Sequence, residues 1–179
     1  RVLSGDTLDV FVCHMPSRSG GEKQSEPYRL LTARTLRHAA DSVVKIRRTP
    51  YLIILGDFND YPESRSICQT LGARKPGKDI QSLNLYNLMN GKQGGTYRYR
   101  GEWGILDQLI LNGTFLKQQG NLTTSYDRAR ILTFPFLLEE DENYGGDKPF
   151  RTYNGMKYHG GYSDHLPVCL DIELKCPAP

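Results

Sequence analysis

The stretch that most constrains how this chain can fold is Tyr51 to Pro62, YLIILGDFNDYP. Tyr51 to Leu55 are apolar or aromatic, two of them β-branched, and Gly56 ends the run. Such a block predicts a strand buried on both faces, because a half-exposed strand would alternate polar and apolar positions. Asp57, Asn59 and Asp60 follow at once. Polar groups leaving the end of a buried strand are fixed by the sheet yet open to ligand, which is where α/β enzymes usually keep their chemistry. In a locally extended chain the side chains of Asp57 and Asn59 point the same way, so an anionic oxygen and a neutral amide share one pocket. That pair suits a metal ion and a phosphate: the carboxylate holds the cation or orients a water, and the amide donates to a phosphoryl oxygen. The competing reading is a plain turn, since Gly, Asn and Asp are turn residues.

A second cluster lies near the other end. Tyr162 to Asp171 reads YSDHLPVCLD, in which Ser163, Asp164 and His165 precede Leu166, Val168 and Leu170, alternating like the core face of a strand. His14, in DVFVCHMPS, again directly follows an apolar run. Asp107 stands inside the apolar beginning of LDQLIL, residues 106–111, where an unpaired carboxylate is costly. It needs a partner, and His165 is the candidate.

HMPS at 14–17, GDFN at 56–59, LDQLIL at 106–111 and SDH at 163–165 together resemble, in that order, the motifs of the endonuclease/exonuclease/phosphatase superfamily. This group includes pancreatic deoxyribonuclease and the apurinic endonucleases. The resemblance implies an α+β fold, a two-sheet β-sandwich flanked by helices in the four-layer αββα, deoxyribonuclease-like arrangement. RVLSGDTLDVFV reads as a hairpin with Ser4 to Asp6 as its turn and a shortened first strand. The family keeps one metal-binding asparagine and one metal-binding glutamate upstream of this hairpin, and neither is matched here. Residues 1–179 are therefore expected to be the C-terminal portion of a single superfamily domain, roughly two-thirds of it, with the fold incomplete in this chain.

The resemblance also implies a divalent-metal-dependent phosphoesterase that cleaves a phosphodiester by water attack. In that scheme Asp57 orients or deprotonates the water, and Asp57 and Asp164 bind Mg²⁺ or Mn²⁺. Asn59 donates to a phosphoryl oxygen. His165 contacts the scissile phosphate, held in its tautomer by Asp107. His14 stands where deoxyribonuclease-like members keep a histidine and is the leading general acid, while Ser17 falls where the family hydrogen-bonds phosphate. Without the family's glutamate the chain alone is expected to be nearly inactive. The substrate stays open among DNA or RNA, a small or lipid phosphoester, and no substrate at all in a binding module of the same fold.

Composition sets bounds. A chain of 179 residues buries one good core, and 38% hydrophobic with 24% charged residues describes a soluble globular protein. No apolar run is long enough to cross a membrane. The net charge of +3 is too small to argue for a nucleic-acid partner by itself. Cys13, Cys68, Cys169 and Cys176 show no metal-ligand spacing, and Cys13 and Cys169 fall in predicted strands, as buried thiols do.

The remaining elements follow from periodicity. Thr7 to Met15 predicts a strand with Leu8, Val10 and Val12 on one face and Asp9, Phe11 and Cys13 on the other. After a polar loop at 16–26, Ser25 and Pro27 predict a helix start. The helix runs to Arg48 with Leu36, Ala39, Ala40, Val43 and Ile46 as its apolar stripe. Arg29, Arg37, Lys45, Arg47 and Arg48 fall mostly outside that stripe, as on a solvated face. Pro62 to Leu71 predicts a short helix closed by Gly72. In GTYRYRGEWG, Tyr97, Arg98, Tyr99, Arg100 and Trp103 either stack on bases and hold phosphates or form an ordinary hairpin with alternating faces. The acidic run Glu139 to Glu142 and His159 read as surface.

Overall fold

The computed structural model describes residue 2 and residues 4–175. Cys176 and much of the first strand of the expected N-terminal hairpin lie outside them. The turn of that hairpin is present, closed by the Gly5 N–H donating to the Val2 carbonyl and the Val2 N–H donating to the Asp6 carbonyl.

Leu8–His14 forms β1, Glu22–Ile46 forms α1, and Tyr51–Asp57 forms β2. A π-helical turn at Ser66–Leu71 precedes β3 at Leu85–Asn87. The hairpin β4, Tyr97–Tyr99, and β5, Glu102–Gly104, leads into β6, Asp107–Asn112. Short strands follow: β7 at Leu122–Thr123, β8 at Ala129–Ile131, β9 at Leu138–Glu140 and β10 at Asp147–Pro149. The chain closes with β11 at Tyr153–Asn154, β12 at Lys157–Tyr158, β13 at Val168–Leu170 and β14 at Glu173–Leu174.

The fold is an α+β sandwich. Its central sheet has the order β1-β2-β6-β3, with β1 parallel to β2 and the other pairs antiparallel. Two parallel neighbours need a crossover, and α1 supplies it. One sheet face packs Leu52, Ile54 and Ile110 against Ala33, Leu36 and Ala40 of α1 and Ile67 and Leu71 of the π-helical turn. The opposite face packs Tyr51, Ile53, Leu109 and Leu111 against Leu122, Ala129, Val168 and Leu170, which belong to the antiparallel pairs β14-β7 and β13-β8. Consecutive residues of β2 thus enter different cores, which is why its sequence shows no polar alternation. Burying each large apolar side chain here contributes about 1.5–3 kcal/mol.

Three local expectations need correction. The helix begins at Glu22, not near Ser25, and contains Pro27. Its buried face is Ser25, Arg29, Ala33, Leu36 and Ala40, while Ile46 is 72% exposed. The cause is Arg29, which is fully buried and pairs with the buried Asp60 at 2.8 Å. Arg29 also donates to Ser25 Oγ at 2.7 Å and to the Glu22 carbonyl at 3.1 Å, which anchors the added first turn. Val10 and Val12, expected with Leu8 to face a core, are 48% and 78% exposed, because the second layer covers β2 and β6 and reaches Leu8 at the start of β1 but not the later residues of that face. Gly72 does close the 66–71 turn in the left-handed conformation, although the turn is π rather than α.

Candidate functional site

Register builds the site. His14 at the end of β1 is the cross-strand partner of Asp57 in β2, and Asp57 is the partner of Asp107 in β6. Neighbouring strands lie about 4.8 Å apart, so three chemically capable side chains end in one row on one rim of the sheet. A single antiparallel bridge between Tyr97 and His165 and the Leu166 N–H donating to the Thr96 carbonyl then bring the SDH segment to the same rim. The Thr96 hydroxyl, fully buried, accepts the Leu106 and Asp107 N–H groups at 3.1 Å each and holds the start of β6 in place.

Gly56 is what lets β1 and β2 close up just before the rim. Its φ is +128°, and a Cβ there would sit 2.0 Å from the Cys13 carbonyl oxygen. Past it the chain does not remain extended: Asn59 is left-handed at φ 49°, and its N–H donates to Asp57 Oδ1 at 2.8 Å. The GDFN segment is therefore a turn, since Asn tolerates the left-handed region that most side chains avoid, and it carries Asp57 and Asn59 to the rim. The Asn59 amide donates to Asp57 Oδ2 at 3.1 Å and to the Met15 carbonyl at 3.0 Å. Both of its donors are engaged within the protein, so Asn59 aims the Asp57 carboxylate. Phe58, fully buried, pins the turn to the core from below.

Asp107 Oδ2 lies 2.6 Å from His165 Nδ1, and His165 Nε2 lies 4.0 Å from Asp57 Oδ2. His14 Nε2 is 3.5 Å from the same Asp57 oxygen. Burial pushes the Asp57 carboxyl above its ordinary value, against the lowering effect of the Asn59 N–H and of the two histidines. For His165, burial opposes the charged ring, but the Asp107 hydrogen bond and charge, helped by Asp57 and Asp164, outweigh it and raise the pKa. Tyr97 lies against the imidazole with ring centroids 4.8 Å apart.

These residues line an open cavity of about 890 Å³. His14, Ser17, Asp57, Asn59, Asp107, Asp164 and His165 are all on its walls, as is Tyr97. Arg98 and Trp103 are not. The Arg98 guanidinium is nearly buried and donates to the Gly101, Asp147 and Gly145 carbonyls while pairing with Asp141. Its role is to tie the β4–β5 turn to the 141–147 loop. His159, in turn, sits 2.5 Å from Glu139, away from the row.

Arg18 and Tyr61 also line the cavity, although nothing in the motif pattern singled them out. Arg18 donates to the Asn59 carbonyl at 2.8 Å, pairs with Asp60 at 3.2 Å and lies over the Tyr61 ring at 4.5 Å. Asp60 accepts from Arg18 and Ser66 Oγ and pairs with Arg29, so the loop that presents Asp57 is held from behind by a buried ionic cluster. A signal was present for Arg29: it lies four, seven and eleven residues before Ala33, Leu36 and Ala40, on the same helix face.

The donor set fits a divalent cation in part. Asp57, Asp107 and His165 each offer a ligand atom within 4.8 Å of the others, and no Lys or Arg neutralises Asp57 among the described residues. A half-buried carboxylate left without a full positive partner favours a cation. Asp164 stands on the same wall outside that cluster of three. The expected pairing of Asp57 with Asp164 as the metal carboxylates is thus not the cluster that packs most tightly.

An α+β sandwich with its acidic and imidazole groups on one sheet rim is the class of protein defined by this fold and site. The sequence matches the endonuclease/exonuclease/phosphatase family over residues 2–174, and the chain belongs to that family. Among solved structures it is similar to a mannosyl-6-phosphatase of Bacteroides thetaiotaomicron VPI-5482, at TM-score 0.51 and 17% identity over 91% of this chain and 50% of that one. It is equally similar to an endonuclease/exonuclease/phosphatase family protein of Bacteroides thetaiotaomicron, at TM-score 0.51 and 16% identity, covering 91% of this chain and 49% of that one. A third is beta toxin of Staphylococcus aureus, at TM-score 0.51 and 15% identity, covering 93% and 52%. The chain spans about half the length of these structures. No curated protein matches it.

Proposed function

We propose that this chain is the C-terminal portion of one catalytic domain, and that the intact protein hydrolyses a phosphoester by water attack with Mg²⁺ or Mn²⁺. The observation that carries the reading is the row His14, Asp57 and Asp107 with His165 closing on it at 2.6–4.0 Å, at the wall of a cavity large enough for a substrate. The exposed face of Val10 and Val12 supports the domain reading, since an apolar sheet face left open calls for more chain above it.

Hydrolysis requires an aimed water, neutralised charge on the phosphoryl group, and a proton for the leaving oxygen. Asp57 accepts hydrogen bonds from Asn59 on both oxygens, which holds the carboxylate ready to orient the water and take its proton. His165 has its Nδ1 held by Asp107, so Nε2 is the nitrogen presented toward Asp57 and the phosphate. Its raised pKa keeps the ring cationic further up the pH scale, which suits contact with a phosphoryl oxygen. His14, mostly exposed on the rim, protonates the leaving oxygen, and Ser17 donates to phosphate. Asn59 reaches a phosphoryl oxygen by exchanging one of its two internal bonds for it. Asp57 and Asp164 would hold the divalent cation, which supplies charge neutralisation on the phosphoryl oxygens.

The test is turnover of a chromogenic phosphodiester and phosphomonoester by the intact protein in Mg²⁺. Asp57→Asn and His165→Ala are each expected to lower kcat by about 10²–10⁴ with the native circular dichroism spectrum retained. Full activity in either variant would sink the assignment.

A further inference from the structure

A second cavity, of about 300 Å³, adjoins the first and shares Tyr97 and Tyr99 with it as a common wall. Tyr144, Lys148, Arg100 and Arg151 complete its working surface. Two of its basic groups are already balanced: Arg98 pairs with Asp141, and Lys148 lies within 4.0 Å of Glu139 and Asp141. Arg100 and Arg151 form no ion pair among the described residues and instead lie over tyrosine rings, Arg100 over Tyr99 at 5.2 Å and Arg151 over Tyr97 at 5.5 Å. The wall between the cavities is therefore a stack, with His165 on one side of Tyr97 and the Arg151 guanidinium beside the same ring.

The backbone shows that the arginine is placed here against local preference. Tyr99 pairs with Glu102, so Arg100 and Gly101 are the two residues of a tight hairpin turn, with φ of 51° and 86°. Asn-Gly or Asp-Gly suits such a turn, whereas Arg is strained at its first position. Arg98, by clamping the Gly101, Gly145 and Asp147 carbonyls, holds this turn against the 141–147 loop and keeps the cavity preformed. A strained position kept by a cation with no ion-pair partner among the described residues is where function is to be sought.

We infer that the cavity between Tyr99, Arg100, Tyr144 and Arg151 is a subsite for a second phosphate on the substrate. The inference rests on the phosphoester-hydrolase reading of the neighbouring site and narrows its substrate. Guanidinium groups recognise phosphate by paired N–H donors, and the tyrosine rings beneath them hold the two arginines at the cavity wall. A nucleic-acid strand and a small sugar bisphosphate share this chemistry.

The experiment compares matched pairs on the intact protein in Mg²⁺. One pair is thymidine 5′-(p-nitrophenyl phosphate) with and without a 3′-phosphate; the other is glucose 1,6-bisphosphate against glucose 6-phosphate. The second phosphate is expected to lower KM by roughly tenfold in at least one pair. Gain in the nucleoside pair alone assigns the subsite to a strand, and gain in the sugar pair alone assigns it to a small ester. Arg100→Gln with Arg151→Gln is expected to abolish the gain while kcat/KM on the singly phosphorylated partner stays within about twofold. No gain in either pair, a gain that survives the double variant, or an equal loss on both partners overturns the inference. If the intact protein turns over neither pair, the hydrolase reading fails by itself. Calorimetric binding of thymidine 3′,5′-bisphosphate against thymidine 5′-phosphate then decides the subsite: tighter binding that the double variant removes supports it, and equal binding overturns it.

Discussion

At the scale of single residues, the Asp107–His165 pair organises the rim. A carboxylate at the start of an apolar strand had to find a partner, and the one it found is held at 2.6 Å. The pair was legible in the sequence because the cost of an unpaired acid in apolar surroundings is independent of fold. Its electrostatics make a direct prediction. Removing the Asp107 charge in Asp107→Asn leaves burial as the main influence on His165, so the ring's pKa is expected to fall below its ordinary value of about 6.5, where in the unaltered protein it lies above. Histidine C–H resonances followed against pH in metal-free buffer read this out. The linked stability has a fixed sign. Because the folded pKa is raised, the stabilisation from this group is fully present below the unfolded pKa of about 6.5 and is lost as pH rises through the higher folded value. A mid-denaturation point that climbs over that window would contradict the pairing.

At the scale of elements, β2 and its turn carry the sheet rim, and two features hold them. Gly56 permits the close approach of β1, with the Cys13 carbonyl occupying the place of a Cβ. Gly56→Ala is therefore expected to cost about 2–5 kcal/mol, read from urea unfolding. Behind the turn, Arg29 and Asp60 are both buried, with Arg18 and Ser66 completing the cluster. Arg29→Leu removes the fully buried partner of Asp60 and leaves Arg18 and Ser66 to hold the carboxylate, which is expected to cost about 2–4 kcal/mol; a loss under about 1 kcal/mol would mean the pair is solvated after all. The periodicity of α1 could have announced this cluster, since Arg29 falls on the line of Ala33, Leu36 and Ala40. Drawing the stripe from Leu36 onward hid it, because basic residues on helices are mostly solvated. The β2 strand, by contrast, was plain, as an unbroken apolar run of strand length has few other homes. Residues 114–161 stayed illegible for a physical reason. Their strands are two or three residues long, too short for a period to show: β7 and β8 pair with the distant β14 and β13, and the β9–β10 and β11–β12 hairpins are of the same minimal length.

For the whole molecule, the sheet is covered unevenly. One face of β2 and β6 lies under α1 and the other under the short strand pairs, whereas Val10 and Val12 of β1 stand open to solvent. The pattern of β1 pointed them at a core, and the core on that side takes in Leu8 but stops short of Val10 and Val12 among the described residues. If the intact protein extends it over them, the two valines contribute stability only there. Val10→Ser with Val12→Ser is expected to leave residues 1–179 unchanged to within about 0.5 kcal/mol, because exposed positions carry little energy. In the intact protein the same change is expected to cost about 2–4 kcal/mol, together with a loss of Mg²⁺-dependent turnover as the rim loses its support. Equal small effects in both would show that nothing packs on this face, and the reading of the chain as one part of a larger domain would fall with it.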